Sequence, residues 1–247
     1  PAVASLAGDG RPLFGAQGSD RAILGNDRRY SGDLGQTLTI DNTNKGYQWS
    51  LTAQLTKTFN SNFSLTAAYT YTDAREINPA TGSTATTILN GQSNVFGVNN
   101  SGLAFANNLV PHRIVAYGQY RREYLKNFAS TIGFTYVGNV GSNFSYTYSG
   151  DPNSDGYSGT DLIYIPKNQS EILLVPTNAN DNRDLTTIWN QLDSYINQDE
   201  YLSKHRGEYA ERNGAYNPWV NRLNLSFLQD FYLDVKGRRH TIQLSLN

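Results

Sequence analysis

The sharpest local motif of oxygen ligands in the chain is Asp151-Pro152-Asn153-Ser154-Asp155-Gly156. Side-chain oxygens at the first, third and fifth places, then a glycine for a sharp turn, are how a calcium loop begins. Asp151, Asn153 and Asp155 would supply carboxylate and amide oxygens, and Tyr157 its backbone carbonyl. The twelfth place, where such a loop needs a bidentate glutamate, holds Leu162, with Asp161 one position early. The competing reading is an Asx-rich turn that holds no metal. Calcium is the one cofactor the sequence suggests, with Asp151, Asn153, Asp155, Tyr157 and Asp161 as its candidate ligands.

Other chemistry is sparse. His112, His205 and His240 are the only histidines, far apart, and no His-Glu-x-x-His motif joins them. There is no Gly-x-Ser-x-Gly elbow and no phosphate-binding loop. Glu208 and Glu211 stand three apart, a spacing that would put both on one helix face as solvated carboxylates. Asn-x-Ser occurs at Asn62, Asn143 and Asn224, in or beside expected strands, where it reads as coincidence. No catalytic residue emerges, and the chain is not expected to be an enzyme. The absence of cysteine removes disulfides, thiolate zinc sites and cysteine nucleophiles together.

The elements that would carry these residues are mostly strands. From residue 46 the chain alternates: Tyr47, Trp49, Leu51, Ala53 and Leu55 against Gln48, Ser50, Thr52, Gln54 and Thr56. Successive strand side chains point to opposite faces, so one face is apolar and the other polar but uncharged. Six such strands are predicted, over about 46–59, 62–73, 112–124, 128–138, 219–234 and 240–247. In the third, either Ile114, Ala116, Gly118 and Tyr120 or Val115 and Tyr117 form the apolar face. Several of these strands run past 10 residues, longer than is usual in globular sheets and enough to cross a tilted bilayer path. The connections alternate between short turns and long excursions over 74–111 and 139–217, an asymmetry of up-and-down membrane barrels. One helix interrupts the second excursion. Asp184 is its N-cap, and Leu185, Ile188, Trp189, Leu192, Tyr195 and Ile196 form its apolar stripe. That helix either packs on its own loop or serves as a lid or docking surface for a partner protein.

Composition agrees with a β-protein. Charged residues are only 17%, while Asn, Thr and Ser number 27, 21 and 20, which suits polar loops and uncharged strand faces. A net charge of −1 leaves no basic footprint for nucleic acid. No signal peptide and no apolar run long enough for a membrane helix is visible, but barrel strands score weakly on hydropathy. Six strands are fewer than the eight or so of the smallest membrane barrels. The chain is therefore expected to be a piece of a larger protein, with 1–45 an extracellular loop entered midway and 46–247 a partial barrel.

Four stretches resemble a known family. They are Asn42-Thr-Asn-Lys-Gly-Tyr-Gln-Trp-Ser-Leu-Thr, Pro111-His-Arg-Ile-Val-Ala, and Ser149-Gly-Asp-Pro-Asn-Ser-Asp-Gly continuing to Asp161-Leu-Ile-Tyr-Ile-Pro. The fourth is Tyr201-Leu-Ser-Lys-His-Arg-Gly-Glu-Tyr-Ala-Glu-Arg-Asn-Gly, running into Pro218-Trp219 and Gln229-Asp230-Phe231. Together they resemble the C-terminal barrel of Oar-like TonB-dependent outer-membrane receptors of the carboxypeptidase-regulatory-like domain type. The resemblance implies a plugged barrel of about 22 strands in the outer membrane of a Gram-negative bacterium. It implies import powered by an inner-membrane TonB complex, with the long loops facing the exterior. Gln48, Thr52, Gln54, Thr56, Ser64, Thr66 and Thr70 would then line the lumen against the protein's own plug domain. Trp49, Leu51, Leu55, Leu65, Phe134, Leu225 and Phe227 would meet outer-membrane lipid. A surface lipoprotein is a possible loop partner. Two other readings compete: a soluble carbohydrate-binding β-domain with a calcium loop, and an outer-membrane barrel for protein export or surface assembly.

Overall fold

The computed structural model describes residues 9–11, 41–97, 100, 102–153, 157–178 and 180–246, and divides into two units. Most of the expected N-terminal loop over 1–45 lies outside the described residues.

The strand unit contains Gln48–Asp73, Asn108–Ser142 and the chain from Tyr216 onward. Its strands are β1 (Tyr47–Thr58), β2 (Phe63–Glu76), β3 (His112–Tyr124), β4 (Phe128–Asn139), β5 (Val220–Val235) and β6 (Arg238–Leu246). Each is hydrogen-bonded to its sequence neighbour, giving the order β1-β2-β3-β4-β5-β6 of an antiparallel meander. The fold is thus mainly antiparallel β with few helices. The sheet is open among the described residues, with β1 and β6 at its edges.

Local chemistry explains the short turns. Asn60 Oδ1 accepts from the amides of Asn62 (2.9 Å) and Phe63 (2.8 Å), closing an Asx turn between β1 and β2. Val235 pairs with Arg238, so Lys236-Gly237 is a two-residue loop. Both loop residues have positive φ, 51° and 75°, as a type I′ hairpin needs to match strand twist. This tight turn is why β6 starts at Arg238, two residues before its expected start.

Register settles the ambiguity in β3. Tyr69 lies opposite Ile114, Ala67 opposite Ala116, Leu65 opposite Gly118 and Phe63 opposite Tyr120. Ile114, Ala116, Gly118 and Tyr120 therefore share the apolar face. Gly118 in turn faces Phe134 of β4, and a Cβ built at Gly118 would run into that ring. Gly118→Val is expected to cost about 1–3 kcal/mol by overpacking. The check is the midpoint of guanidinium unfolding followed by far-UV circular dichroism in detergent; an unshifted midpoint would mean the ring moves away freely.

The second unit is built from the long excursions, Ala74–Asn107 and Asn143–Ala215, with the described residues before Tyr47. It is more ordered than loops over 74–111 and 139–217 imply. β2 continues to Glu76, where Arg75 and Glu76 pair with Phe105 and Ala104. A short helix, α1 (Ala85–Asn90), follows Thr84, whose side chain accepts from the Thr87 amide while Thr87 Oγ1 takes the Thr84 amide. The expected helix is α2 (Leu185–Gln198), and α3 (Glu200–Lys204) adds one further turn. Val95, Leu162, Ile165, Ile196, Leu202 and Ala210 form the unit's core, with Tyr146, Ile163, Leu192, Tyr201 and Tyr209 against it.

Candidate functional site

The described residues that flank the calcium-like sequence form a hairpin stem. Tyr148 and Gly159 donate backbone bonds to Asp161 and Gly150, both 2.9 Å, and Ile163 donates to Tyr146. Asp151 and Tyr157 are half-buried and Asn153 is fully buried. Asp155 lies outside the described residues. Asp161, expected to reach the same ion, instead sits in the hairpin stem with its carboxylate 3.2 Å from the Arg11 guanidinium. Among the described residues, no group of three or more His, Cys, Asp or Glu side chains is arranged to hold a metal.

Around Asp161 is a buried ionic clasp that sequence spacing does not reveal. Arg11 is wholly buried and forks onto the Asp9 carboxylate at 2.6 and 2.9 Å. It also donates to the Leu162 carbonyl at 2.7 Å, and its guanidinium lies 4.8 Å from the Tyr148 ring centre and 5.7 Å from that of Tyr209. Burial opposes its charge, but the Asp9 hydrogen bond and the nearby Asp9 and Asp161 charges outweigh that and raise its pKa. Burial likewise pushes the Tyr148 and Tyr209 phenols up, so both stay neutral. Tyr209 donates to the Asp9 carbonyl at 3.0 Å.

The block 201–214 is a scaffold for this unit. Tyr201 Oη accepts from the Glu211 amide at 2.7 Å, and His205 Nδ1 lies 2.7 Å from the Tyr201 carbonyl. Arg206 donates to the Pro166 carbonyl (2.9 Å), Asp193 (2.6 Å) and Asn197 (2.9 Å), tying the block to α2. Arg212 donates to the Glu76 carbonyl at 2.7 Å, and burial lowers its pKa. Asn213 donates to the Phe105 carbonyl (3.0 Å) and the Asn107 side chain (2.7 Å). Glu208 and Glu211 do not share a helix. Glu208 and Tyr209 pair as strand with Ile165 and Tyr164, and Glu211 is bound by Arg75. These side-chain bonds recruit backbone from separate stretches, which explains so many charged and amide residues in fourteen positions.

The stripe of α2 divides in two. Ile196 is buried and Ile188, Trp189 and Leu192 are half-buried, whereas Leu185 and Tyr195 are exposed. The helix therefore packs on its own unit. Asp184 caps it, accepting from the Thr187 amide at 2.6 Å, and that bond holds its carboxyl below the ordinary 3.8. A depressed folded pKa stabilises the helix above that value and is lost as pH falls below it. Asp184→Asn keeps a capping oxygen without the charge, so α2 should lose the acid sensitivity that sets in below the ordinary 3.8. Amide exchange of 185–198 between pH 3 and 6 checks this; an unchanged acid profile would assign the sensitivity elsewhere.

In the strand unit the two faces are chemically distinct. Thr52 and Thr70 bond side chain to side chain at 2.9 Å, and Thr56 and Thr66 at 3.1 Å, so these four share the polar face. Gln48 and Gln54 have the same parity on β1, and Ser64 joins Thr66 and Thr70 on β2. Trp49, Leu51 and Leu55 take the other face, where Trp49 lies 5.3 Å from the Tyr71 ring. Leu65, Gly118, Phe134 and Leu225 stand in one row across four strands. Phe63, Tyr120, Ile132, Phe227 and Leu246 make the next row across five. Tyr120, Ile132, Leu225, Phe227 and Leu246 of these rows are exposed, Leu225 at 63%, as is Leu51 of β1 at 68%, while Phe63, Leu65 and Phe134 are half-buried. On the polar face, Arg121 donates to Thr131 (3.2 Å), Asp230 (2.8 Å) and Tyr232 (2.5 Å), while Gln243 donates to Asp230 at 2.7 Å. That network joins four strands, and only the polar parity of its members is visible in sequence.

An antiparallel meander with one exposed apolar face, one polar face and a folded unit in its long connections is what the geometry defines. Compared with known proteins, the chain matches no protein family, no curated protein and no solved structure.

Proposed function

We propose that this chain forms part of a TonB-dependent outer-membrane receptor that imports a substrate through a plugged β-barrel. The supporting observation is the exposed apolar face. It continues across all six strands, while polar residues without a core above them take the other side. A contiguous apolar surface of that breadth is rare on a soluble monomer and suits lipid. The open edges at β1 and β6 suit a sheet completed by further strands, up to the roughly 22 of plugged outer-membrane transporters. Closure removes the unpaired edges that an isolated sheet would expose. In this reading Thr52, Thr56, Thr66, Thr70 and the Arg121–Asp230 network face the lumen and plug. Trp49, Leu51, Leu225 and Phe227 face lipid. The unit built from the long connections meets the exterior and selects the substrate, and energy for plug displacement comes from the inner membrane.

The experiment is alkaline carbonate extraction of bacterial membranes holding the native polypeptide, with its intact mass measured after detergent release. Retention in the membrane and a mass several times 27.4 kDa are expected. Release into the aqueous wash would overturn the reading and favour a soluble β-domain. Recovery in a stable complex with an exported surface protein would favour the export barrel.

A further inference from the structure

The segment after the 3-10 turn at Gln169–Glu171 is Ile172-Leu173-Leu174-Val175-Pro176, an apolar run closed by proline. Ile172 is extended, with φ −135° and ψ 153°, and burial alternates along the run as in a strand: Ile172 and Leu174 half-buried, Leu173 and Val175 each 64% exposed. Yet it pairs with no strand among the described residues. Among the described residues, no backbone amide or carbonyl of Leu173, Leu174 or Val175 makes a hydrogen bond. β-branched and aliphatic residues with alternating burial and no partner strand form an edge that can accept another strand. Pro176 has no amide to donate and ends the edge there.

Beside the edge is a cavity of about 260 Å³ with Ile163, Ile165, Ile172, Leu174, Leu192 and Ile196 in its wall. A cavity alone would suit any apolar group. The unpaired backbone narrows the choice, because lipid tails and small hydrocarbons cannot satisfy amides and carbonyls, whereas an extended polypeptide satisfies both at once. We propose that 172–175 is a strand-addition site for an extended polypeptide with alternating apolar side chains, one of which enters the adjoining cavity. Backbone pairing would supply affinity and the cavity a preference for a bulky apolar residue, as in other edge-strand recognition. The inference rests on the proposed function, in which this unit meets the exterior, and gives its substrate or partner class as polypeptide.

The test uses the full native polypeptide in detergent and a fluorescein-labelled peptide, Thr-Leu-Thr-Val-Thr-Leu-Thr, read by anisotropy. A twin peptide carries N-methyl groups on alternate residues along the pairing edge, which removes donors and leaves the side chains. Saturable binding is expected, weakened about tenfold or more for the methylated twin, the scale of a lost hydrogen-bond pair. Val175→Pro, which removes a backbone amide at an exposed position of the run, should weaken the unmethylated peptide about fivefold or more with amide exchange of α2 unchanged. Equal binding of both peptides would overturn strand addition in favour of a simple apolar cavity. No saturable binding would overturn the site altogether. Burial of a dye at position 175 in phosphatidylcholine vesicles without peptide would show that the run meets lipid instead. None of these results bears on carbonate extraction, so the site and the transporter reading fail separately.

Discussion

Leu225→Arg is expected to destabilise the strand unit in a phospholipid bilayer by about 2–4 kcal/mol, the cost of an arginine near the midplane of a barrel wall. Leu225 is central in β5, 63% exposed, and flanked across the sheet by Phe134. In water an exposed leucine gains little from its surroundings, and arginine there would be nearly neutral. In lipid the same exchange forces a guanidinium to snorkel or to draw in water. Asn224→Arg, one residue away on the polar face opposite Thr135, should cost under about 1 kcal/mol, because in the proposed barrel that face meets the lumen, where charge is tolerated. Guanidinium unfolding of the native polypeptide in vesicles, for both variants, makes the comparison. Equal small losses would mean that the apolar face is covered by protein or water rather than by hydrocarbon.

That contrast between adjacent residues was legible because strand periodicity is local. Each face of β1, β2, β4, β5 and β6 follows from alternate letters, and Asn60-Ser61-Asn62 and Lys236-Gly237 carry their own turn chemistry. β3 was ambiguous for an equally local reason. Ile114 and Val115 are both apolar and adjacent, so only pairing with Tyr69 and Ala68 assigns the faces. The extension of β2 to Glu76 depends on Ala104 and Phe105, and sequence does not announce a partner so far along the chain. α1 has no basic or acidic residue near its caps and relies on Thr84 and Thr87, a weaker signal than a Ser-x-x-Glu box. Glu208 and Glu211 misled because a three-residue spacing suits a helix, while Tyr209 is held as strand by Tyr164.

The loop unit was less legible than the sheet because its order comes from polar side chains bonding distant backbone. α2 is the exception, marked by Asp184 and an apolar stripe, though Tyr195 faces outward despite its spacing. Asp161 illustrates the difficulty. Its place near the end of a ligand-rich run suggests an ion, and a guanidinium from 150 residues earlier also lies beside it. Sequence spacing fixes which oxygens are near each other along the chain, and tertiary packing decides what charge neutralises them.

The clasp at Arg11 therefore carries the larger energetic prediction. Arg11→Met should destabilise the loop unit by about 3–5 kcal/mol, the range for removing one partner from a buried ion pair. The side chains of Asp9 and Asp161 are 0% and 1% exposed, so methionine would leave two carboxylates in a site that excludes water. Asp161→Asn should cost clearly less. Arg11 would retain its fork to Asp9, the Leu162 carbonyl and the Tyr148 and Tyr209 rings, and asparagine can still accept a hydrogen bond. Trp189 is the only tryptophan in this unit, since Trp49 and Trp219 belong to the strands. With every tryptophan of the native polypeptide outside this unit replaced by phenylalanine, thermal unfolding followed by Trp189 fluorescence reports the loop unit alone. A double-mutant cycle between Arg11→Met and Asp161→Asn separates their coupling from the loss of packing. A cost below about 1 kcal/mol for Arg11→Met would place the pair in the class of solvated surface bridges and remove the clasp as a source of order. The predicted ranking follows from burial: a cation lost from between two carboxylates costs more than one carboxylate made neutral beside a cation that keeps its other partners.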